Sequence, residues 1–296
     1  MGPHGDTPGA AEPRPGVPLR VLIDGARSGL VPVWDRGFSY GDGLFETVLV
    51  DGGAPCLWTR HLTRLAHGCA RLGIRAPPPG PLEAQVRTLL RGSEAGVLKV
   101  LVTRGTGGRG YRPPEDQRPC LALLLYPVPV WPGDWGTRGV ALRYCVTRAS
   151  ENRSLAGIKH LNRLDSVLAR AEWAAPHLAE GLLLREDGHL VGGTMSNLFL
   201  WTGTTLLTPV LDRAGIAGTV RALTLELAAG LGIDCRECDL RPAQLGTARG
   251  LFLTNALIGV WPVARLDGHD YDPGLLPWGL LKAVALAART PEWPTP

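Results

Sequence analysis

Apolar and polar positions alternate in short runs that predict strands at residues 19–23, 47–50, 97–102 and 120–126 in the first half of the chain. Asp24-Gly25 turns the first strand, and Asp51-Gly52-Gly53 after the second is a hairpin signal. Residues 60–72 place Leu62, Leu65, Ala66 and Cys69 at helical spacing, and a second helix is expected at 82–90 after the break at Pro77-Pro78-Pro79. The second half predicts strands at 140–146, 181–185, 197–201, 205–208, 233–238, 251–254 and 260–263. Helices are expected from the segment around residue 159 to about 174, at 219–229 and at 275–288. The first half therefore reads as an α+β unit with helices against a mainly antiparallel sheet, and the second as a larger α/β unit. Three prolines, two tryptophans and two glycines mark 127–136 as a linker. The expected organisation is a disordered Gly- and Pro-rich tail at 1–18, a small domain at 19–126, the linker, and a larger domain at 137–290, with a site in the cleft between the two domains.

Composition narrows the function classes. The net charge of +4 is spread along 296 residues without a Lys/Arg block, which gives nucleic-acid binding little support. No apolar run approaches the roughly 18 residues of a membrane span, and no export signal opens the chain. A cytoplasmic protein with reduced thiols is expected. Cys235-Arg236-Glu237-Cys238 has C-x-x-C form, but no second pair or His cluster accompanies it, so no metal is expected.

Chemistry is suggested by what is scarce. Only three lysines occur, Lys99, Lys159 and Lys282, among many arginines. A guanidinium stays protonated, whereas a buried lysine amine can lose its proton and attack a carbonyl. Lys282 and Lys99 fit solvated positions, but Lys159 lies in the apolar run Leu-Ala-Gly-Ile-Lys-His-Leu-Asn-Arg-Leu and points to Schiff-base chemistry. The stretch from Thr103 to Tyr111 follows a strand, and Arg109 and Tyr111 share one side of extended backbone; it is either a carboxylate receiver or a flexible Gly-rich hairpin. Gly218-Thr219 at a helix start offers free N–H groups to an anion, or is an ordinary cap; no Gly-Lys-Ser/Thr follows, so it is not a Walker loop. Arg64 is either a second anion contact or a surface arginine.

Several runs carry a family resemblance. They are Asp-Arg-Gly-Phe-Ser-Tyr-Gly-Asp-Gly-Leu-Phe-Glu-Thr at 35–47, Gly-Val-Leu-Lys-Val at 96–100, the stretch 104–111 with Gly-Gly-Arg-Gly-Tyr, Leu-Ala-Gly-Ile-Lys-His-Leu-Asn-Arg-Leu at 155–164 and Asn-Ala-Leu at 255–257. Together they resemble the fold-type IV pyridoxal-phosphate (PLP) enzymes, and among these the aminodeoxychorismate lyases. The resemblance implies a two-domain homodimer that uses PLP on a small-molecule substrate, with no nucleic acid, membrane or metal. It implies Lys159 as Schiff-base lysine and general base. Arg64, Gly218, the backbone amides of Thr219 and Val220, and Asn197 would bind the cofactor. Arg109, Tyr111 and Asn255 would face the substrate. The implied reaction converts 4-amino-4-deoxychorismate to 4-aminobenzoate and pyruvate for folate synthesis. One departure stands out: Gly192 occupies the position where the family usually has a Glu paired with the cofactor's pyridine nitrogen. Without that anion the ring is a poorer electron sink, unless Glu186 or Asp187 reaches it from the preceding turn. The alternatives are a branched-chain or D-amino-acid aminotransferase, and a degenerate PLP-binding homologue.

Overall fold

The hairpin and strand signals of the first half pair into one antiparallel sheet in the structure, a computed structural model that describes residues 16–293. Its strands are β1 (Arg20–Ile23), β2 (Gly43–Asp51), β3 (Ala54–Pro55), β4 (Gly96–Thr103) and β5 (Cys120–Tyr126), in the order β1-β5-β4-β2-β3. A short helix α1 (Arg36–Tyr40) precedes β2. Helices α2 (Trp58–Leu72) and α3 (Pro79–Leu90) cover one face, because the period-2 side chains Val48, Val50, Leu98, Val100, Leu123 and Leu125 need apolar cover. Leu65 and Cys69 of α2 and Leu82, Val86 and Leu89 of α3 supply it. The prolines that end the first helical unit also begin the next, with Pro79 at the first position of α3, where a missing N–H costs nothing.

After a short helix α4 (Trp135–Arg138), the second half builds a mixed nine-stranded sheet. Its strands are β6 (Val140–Arg148), β7 (Leu178–Leu184), β8 (Leu190–Gly193), β9 (Asn197–Trp201), β10 (Thr205–Pro209), β11 (Asp234–Cys238), β12 (Gly250–Asn255), β13 (Gly259–Leu266) and β14 (His269–Asp270). The order is β11-β10-β9-β12-β13-β6-β7-β8, with β14 on β13. β6 pairs parallel with both β13 and β7, and β10 with β11. The helices are α5 (Leu164–Arg170), α6 (Thr219–Gly230), α7 (Pro242–Leu245) and α8 (Trp278–Ala287). α6 and α8 bury Val220, Leu223, Leu280 and Val284 over the stacked rings of Phe199 and Phe252, whose centroids are 4.9 Å apart.

Two expected helices are corrected. The helix expected from residue 159 is absent there: α5 begins only at Leu164 and ends at Arg170. The Lys159 segment is extended, because its backbone groups bond outward rather than to one another. The N–H of Phe45 donates to the Lys159 carbonyl (3.0 Å) and that of Leu161 to Gly43 (3.0 Å), so the segment adds to β2. On its other side Gly157 donates to Gly215 (3.0 Å) and accepts from Ala217 (2.9 Å). The lysine is thus spliced between the two halves of the chain. The terminal helix starts at Trp278, after a separate 3-10 turn at Pro273–Leu275. The 127–136 stretch is held against the second sheet, where Trp131 and Trp135 meet the ring of Trp261 edge-on at 5.4 and 5.0 Å. The tail expected over residues 1–18 lies outside the described residues as far as position 15.

Candidate active site

Where the two sheets face each other, a cavity of about 350 Å³ opens around Lys159. That size falls within the range of about 300–1,000 Å³ common for small-molecule sites. Phe45 and Thr47 of β2 form its floor from the first sheet, since alternate residues of a strand share a face. The second sheet contributes the loop from Gly192 to Asn197, the turn 215–219 and the turn after β12.

The Lys159 amine lies 4.2 Å from the centre of the Phe45 ring. Burial first, then the charge of Arg64, with smaller contributions from Arg163 and Lys99, pushes its pKa down to about 7; Glu46 opposes the shift. An amine near that value is in large part neutral at physiological pH and is able to attack a carbonyl carbon. Lys99, read from the sequence as solvated, is half-buried on β4, and burial lowers its pKa as well. Its amine lies 5.5 Å from the centre of the Phe45 ring.

At one end of the cavity, α6 presents its N-terminus. Gly218 caps the helix without a side-chain hydrogen bond, and both Gly218 and Thr219 line the cavity. The first-turn amides of such a helix lack intrahelical partners and carry the positive end of its dipole. A Cβ at residue 218 would stand 2.2 Å from Asn197 Oδ1, so only glycine lets the turn come this close. Asn197 fixes the turn from both sides: its Nδ2 donates to the Ile216 carbonyl (2.9 Å) and its Oδ1 accepts from Gly218 N–H (3.1 Å). Arg64 reaches the same end, with Nη1 donating to the Ala217 carbonyl at 3.1 Å. Its fork is oriented by Glu46, which accepts Nε at 2.8 Å and Nη2. Glu46 also accepts from His61 Nδ1 at 2.6 Å. Burial alone would raise the Glu46 pKa, but the Arg64 charge outweighs it and holds the carboxyl down to about 2. Burial keeps the His61 imidazole below its ordinary pKa.

Ala149, Asp165, Ser166, Leu183, Val191 and Gly192 also line the cavity. Gly192 has φ +152°, and a Cβ there would stand 2.8 Å from the Ser196 carbonyl oxygen. The loop that follows hangs from the buried Glu180. Its oxygens accept the N–H groups of Thr194 (3.0 Å) and Met195 (3.0 Å) and the Ser196 hydroxyl (2.9 Å). Neither Glu186 nor Asp187 lines the cavity; Asp187 is engaged by Arg185 (3.1 Å) and Arg213 (2.9 Å). The carboxylate that does line it is Asp165.

The structure thus brings Lys159, Arg64, Gly218, Thr219, Asn197 and Asn255 to one cavity. Val220 follows Thr219 in the first turn of α6, with its side chain in the core below. Asn255 holds the wall rather than projecting from it, since its Oδ1 caps the N–H groups of Leu257 and Ile258 (2.8 and 2.9 Å) and its Nδ2 donates to Met195 (3.2 Å). Arg109 and Tyr111 do not line the cavity. Tyr111 is 85% exposed and packs edge-on against Tyr40, while Arg36 grips the backbone carbonyls of Gly110 and Tyr111 at 2.9 and 3.0 Å. Thr47, Arg163, Asp165 and the Glu46 support of Arg64 were missed in the sequence. Glu46, Thr47 and Arg163 stand within the runs that carry the resemblance, which assigned them no role.

The walls suit PLP: an amine of lowered pKa for its aldehyde, a helix N-terminus with Arg64 for its phosphate, and an apolar middle for its ring. A lysine between an antiparallel small sheet and a larger mixed sheet, facing such a cradle, is the arrangement of a fold-type IV PLP enzyme. The chain belongs to the class IV aminotransferase family, whose profile matches residues 43–266. It is 33% identical over 249 residues to an aminodeoxychorismate lyase of Vibrio harveyi, covering 84% of this chain and 92% of that one. A putative branched-chain-amino-acid aminotransferase of Methanocaldococcus jannaschii is 30% identical over 258 residues, with 85% and 89% covered. The crystal structure of 4-amino-4-deoxychorismate lyase from Pseudomonas aeruginosa superposes with a TM-score of 0.85 at 43% identity, covering 89% of this chain and 97% of that one.

Proposed function

We propose that this PLP-dependent enzyme is a 4-amino-4-deoxychorismate lyase, releasing 4-aminobenzoate and pyruvate in the cytoplasm as a homodimer, with residues 137–290 as its PLP-binding domain. The observation that carries the lyase over an aminotransferase is Gly192. The cavity wall has no side chain there, and Glu186 and Asp187 do not line the cavity in its place. An aminotransferase depends on a strongly electron-withdrawing ring throughout its proton transfer. Loss of the enolpyruvyl group creates an aromatic ring, and this gain offsets a weaker electron sink. The identities to lyases from Vibrio harveyi and Pseudomonas aeruginosa support the same reading.

When bound, PLP supplies an aldehyde that condenses with amines and a ring that accepts electron density. The chain's own residues do the rest. Lys159 Nζ anchors the cofactor, takes the proton from the amine-bearing carbon and returns one to the departing ether oxygen, a task suited to an amine with a pKa of about 7. Arg64, held in aim by Glu46, and the α6 N-terminus bind the phosphate. Leu183, Val191, Ile216 and Leu257 exclude water from the middle of the cavity.

The test is 4-aminobenzoate release from aminodeoxychorismate by PLP-loaded protein, with Lys159→Ala as control. Lys159-dependent release is expected. Amino transfer from a branched-chain or D-amino acid to 2-oxoglutarate, without 4-aminobenzoate, would replace the lyase with an aminotransferase.

A further inference from the structure

Three cationic side chains line the cavity: Arg64, Lys159 and Arg163. Arg64 is neutralised by Glu46, and Lys159 is the reactive amine. Arg163 makes no direct ion pair among the described residues, although the charge of Asp165 acts on it from a distance. Its Nε donates to the Asn162 carbonyl at 2.8 Å and its Nη2 to the His160 ring, while Nη1 has no hydrogen-bond partner among the described residues. Asp165, two positions on, directs its oxygens to the N–H groups of Ser150 (3.2 Å) and Ser166 (2.8 Å); its charge favours the protonated guanidinium but no hydrogen bond joins the two. Burial pushes the Arg163 pKa below its ordinary value. A half-buried cation of this kind has lost part of its hydration, and an incoming anion restores the lost interactions.

His160 explains how the fork is aimed. The imidazole is buried, and burial, followed by the Arg163 charge, pushes its pKa down to about 4. It is therefore neutral at physiological pH. Arginine can only donate, so the ring nitrogen facing Nη2 is the acceptor. His160 is itself fixed by the backbone bridge to Leu44 beside β2.

Building on the lyase reading, we propose that Arg163 receives a carboxylate of the substrate, with His160 as its positioning residue. The guanidinium fork lies four residues from Lys159 on the same wall, so it selects amines that carry an anionic group away from the nitrogen. Within one chain it is Arg163, and not Arg109 or Tyr111, that lines the cavity.

The experiment compares binding of 4-aminobenzoate and its neutral isostere 4-aminobenzamide to PLP-loaded protein by calorimetry. A charge-assisted hydrogen bond contributes about 1.5–3 kcal/mol, so wild type should prefer the acid by roughly ten- to a hundredfold. Arg163→Gln should abolish the preference while the protein still binds PLP. Arg163→Lys should keep part of it, and His160→Gln should weaken it. An equal preference in wild type and Arg163→Gln, no preference in wild type, or loss of PLP in both Arg163 variants would overturn the proposal. Absence of 4-aminobenzoate release by wild type would sink the lyase reading instead, while the acid-to-amide comparison would still decide the role of Arg163.

Discussion

Lys159 gathers its reactivity from groups that are far apart in sequence. Arg64, Lys99 and Arg163 each add positive charge to a site already poor in water, and together with burial they bring its pKa to about 7. Apo-protein should therefore capture PLP at a rate that rises with pH around a midpoint near 7, read by stopped-flow absorbance; a midpoint above 9 would mean the amine is solvated. The linkage sign follows. The folded-state pKa lies below the ordinary 10.5, so the unfolded chain binds more protons between these values and stability rises with pH across that window. Lys159→Met should flatten that rise in thermal melts of the apo-protein. Glu46 is the complementary case, since its depressed pKa contributes stability above the ordinary carboxyl range that is lost as pH falls towards about 2. Glu46→Gln leaves Arg64 without its counter-ion inside the protein and should cost about 3–5 kcal/mol in denaturant unfolding, with weaker PLP retention. The scarcity of lysine made Lys159 legible from the sequence. Arg163 was not legible, because nothing in an arginine after Asn162 says that its guanidinium will line the cavity.

Among the elements, strands were read well and the lysine segment was not. β5 matches its expected bounds, and β4 and β9 differ by a residue or less, because alternation in half-buried strands is a local property. Leu155, Ile158, Leu161 and Leu164 repeat every three residues and imitate a helix. Their backbone instead bonds to Gly43, Phe45 and Gly215, partners that periodicity cannot reveal. β8 escaped notice because its four residues end in two glycines. The start of α6 was legible as an anion site, yet its reliance on Asn197 was not. Gly218→Ala should drive Asn197 from the turn and weaken PLP binding by roughly tenfold, about 1.4 kcal/mol, with little change in secondary structure. Unaltered PLP affinity in a fluorescence titration would show that the turn is not the phosphate cradle.

At the scale of the whole molecule, the two sheets meet only through segments that neither half defines alone, which is why the fold class was legible while the cavity wall was not. α5 stands at the edge of that cavity with Leu164, Val167 and Leu168 exposed by 75, 59 and 60%. They form one stripe at i, i+3 and i+4. Such a stripe supports the proposed homodimer. Leu168→Glu should shift the protein to monomers in size-exclusion chromatography with light scattering, and an unchanged dimer would place the interface elsewhere. Among the described residues no helix is long and apolar enough to cross a membrane.

The backbone at Gly192 also limits what can stand there. A glutamate placed at this position would press its Cβ against the Ser196 carbonyl, in a loop that Glu180 holds at several points. A side chain can stand here only if the loop is remodelled as well, so the bare wall is imposed by the architecture around residue 192 and not by that residue alone.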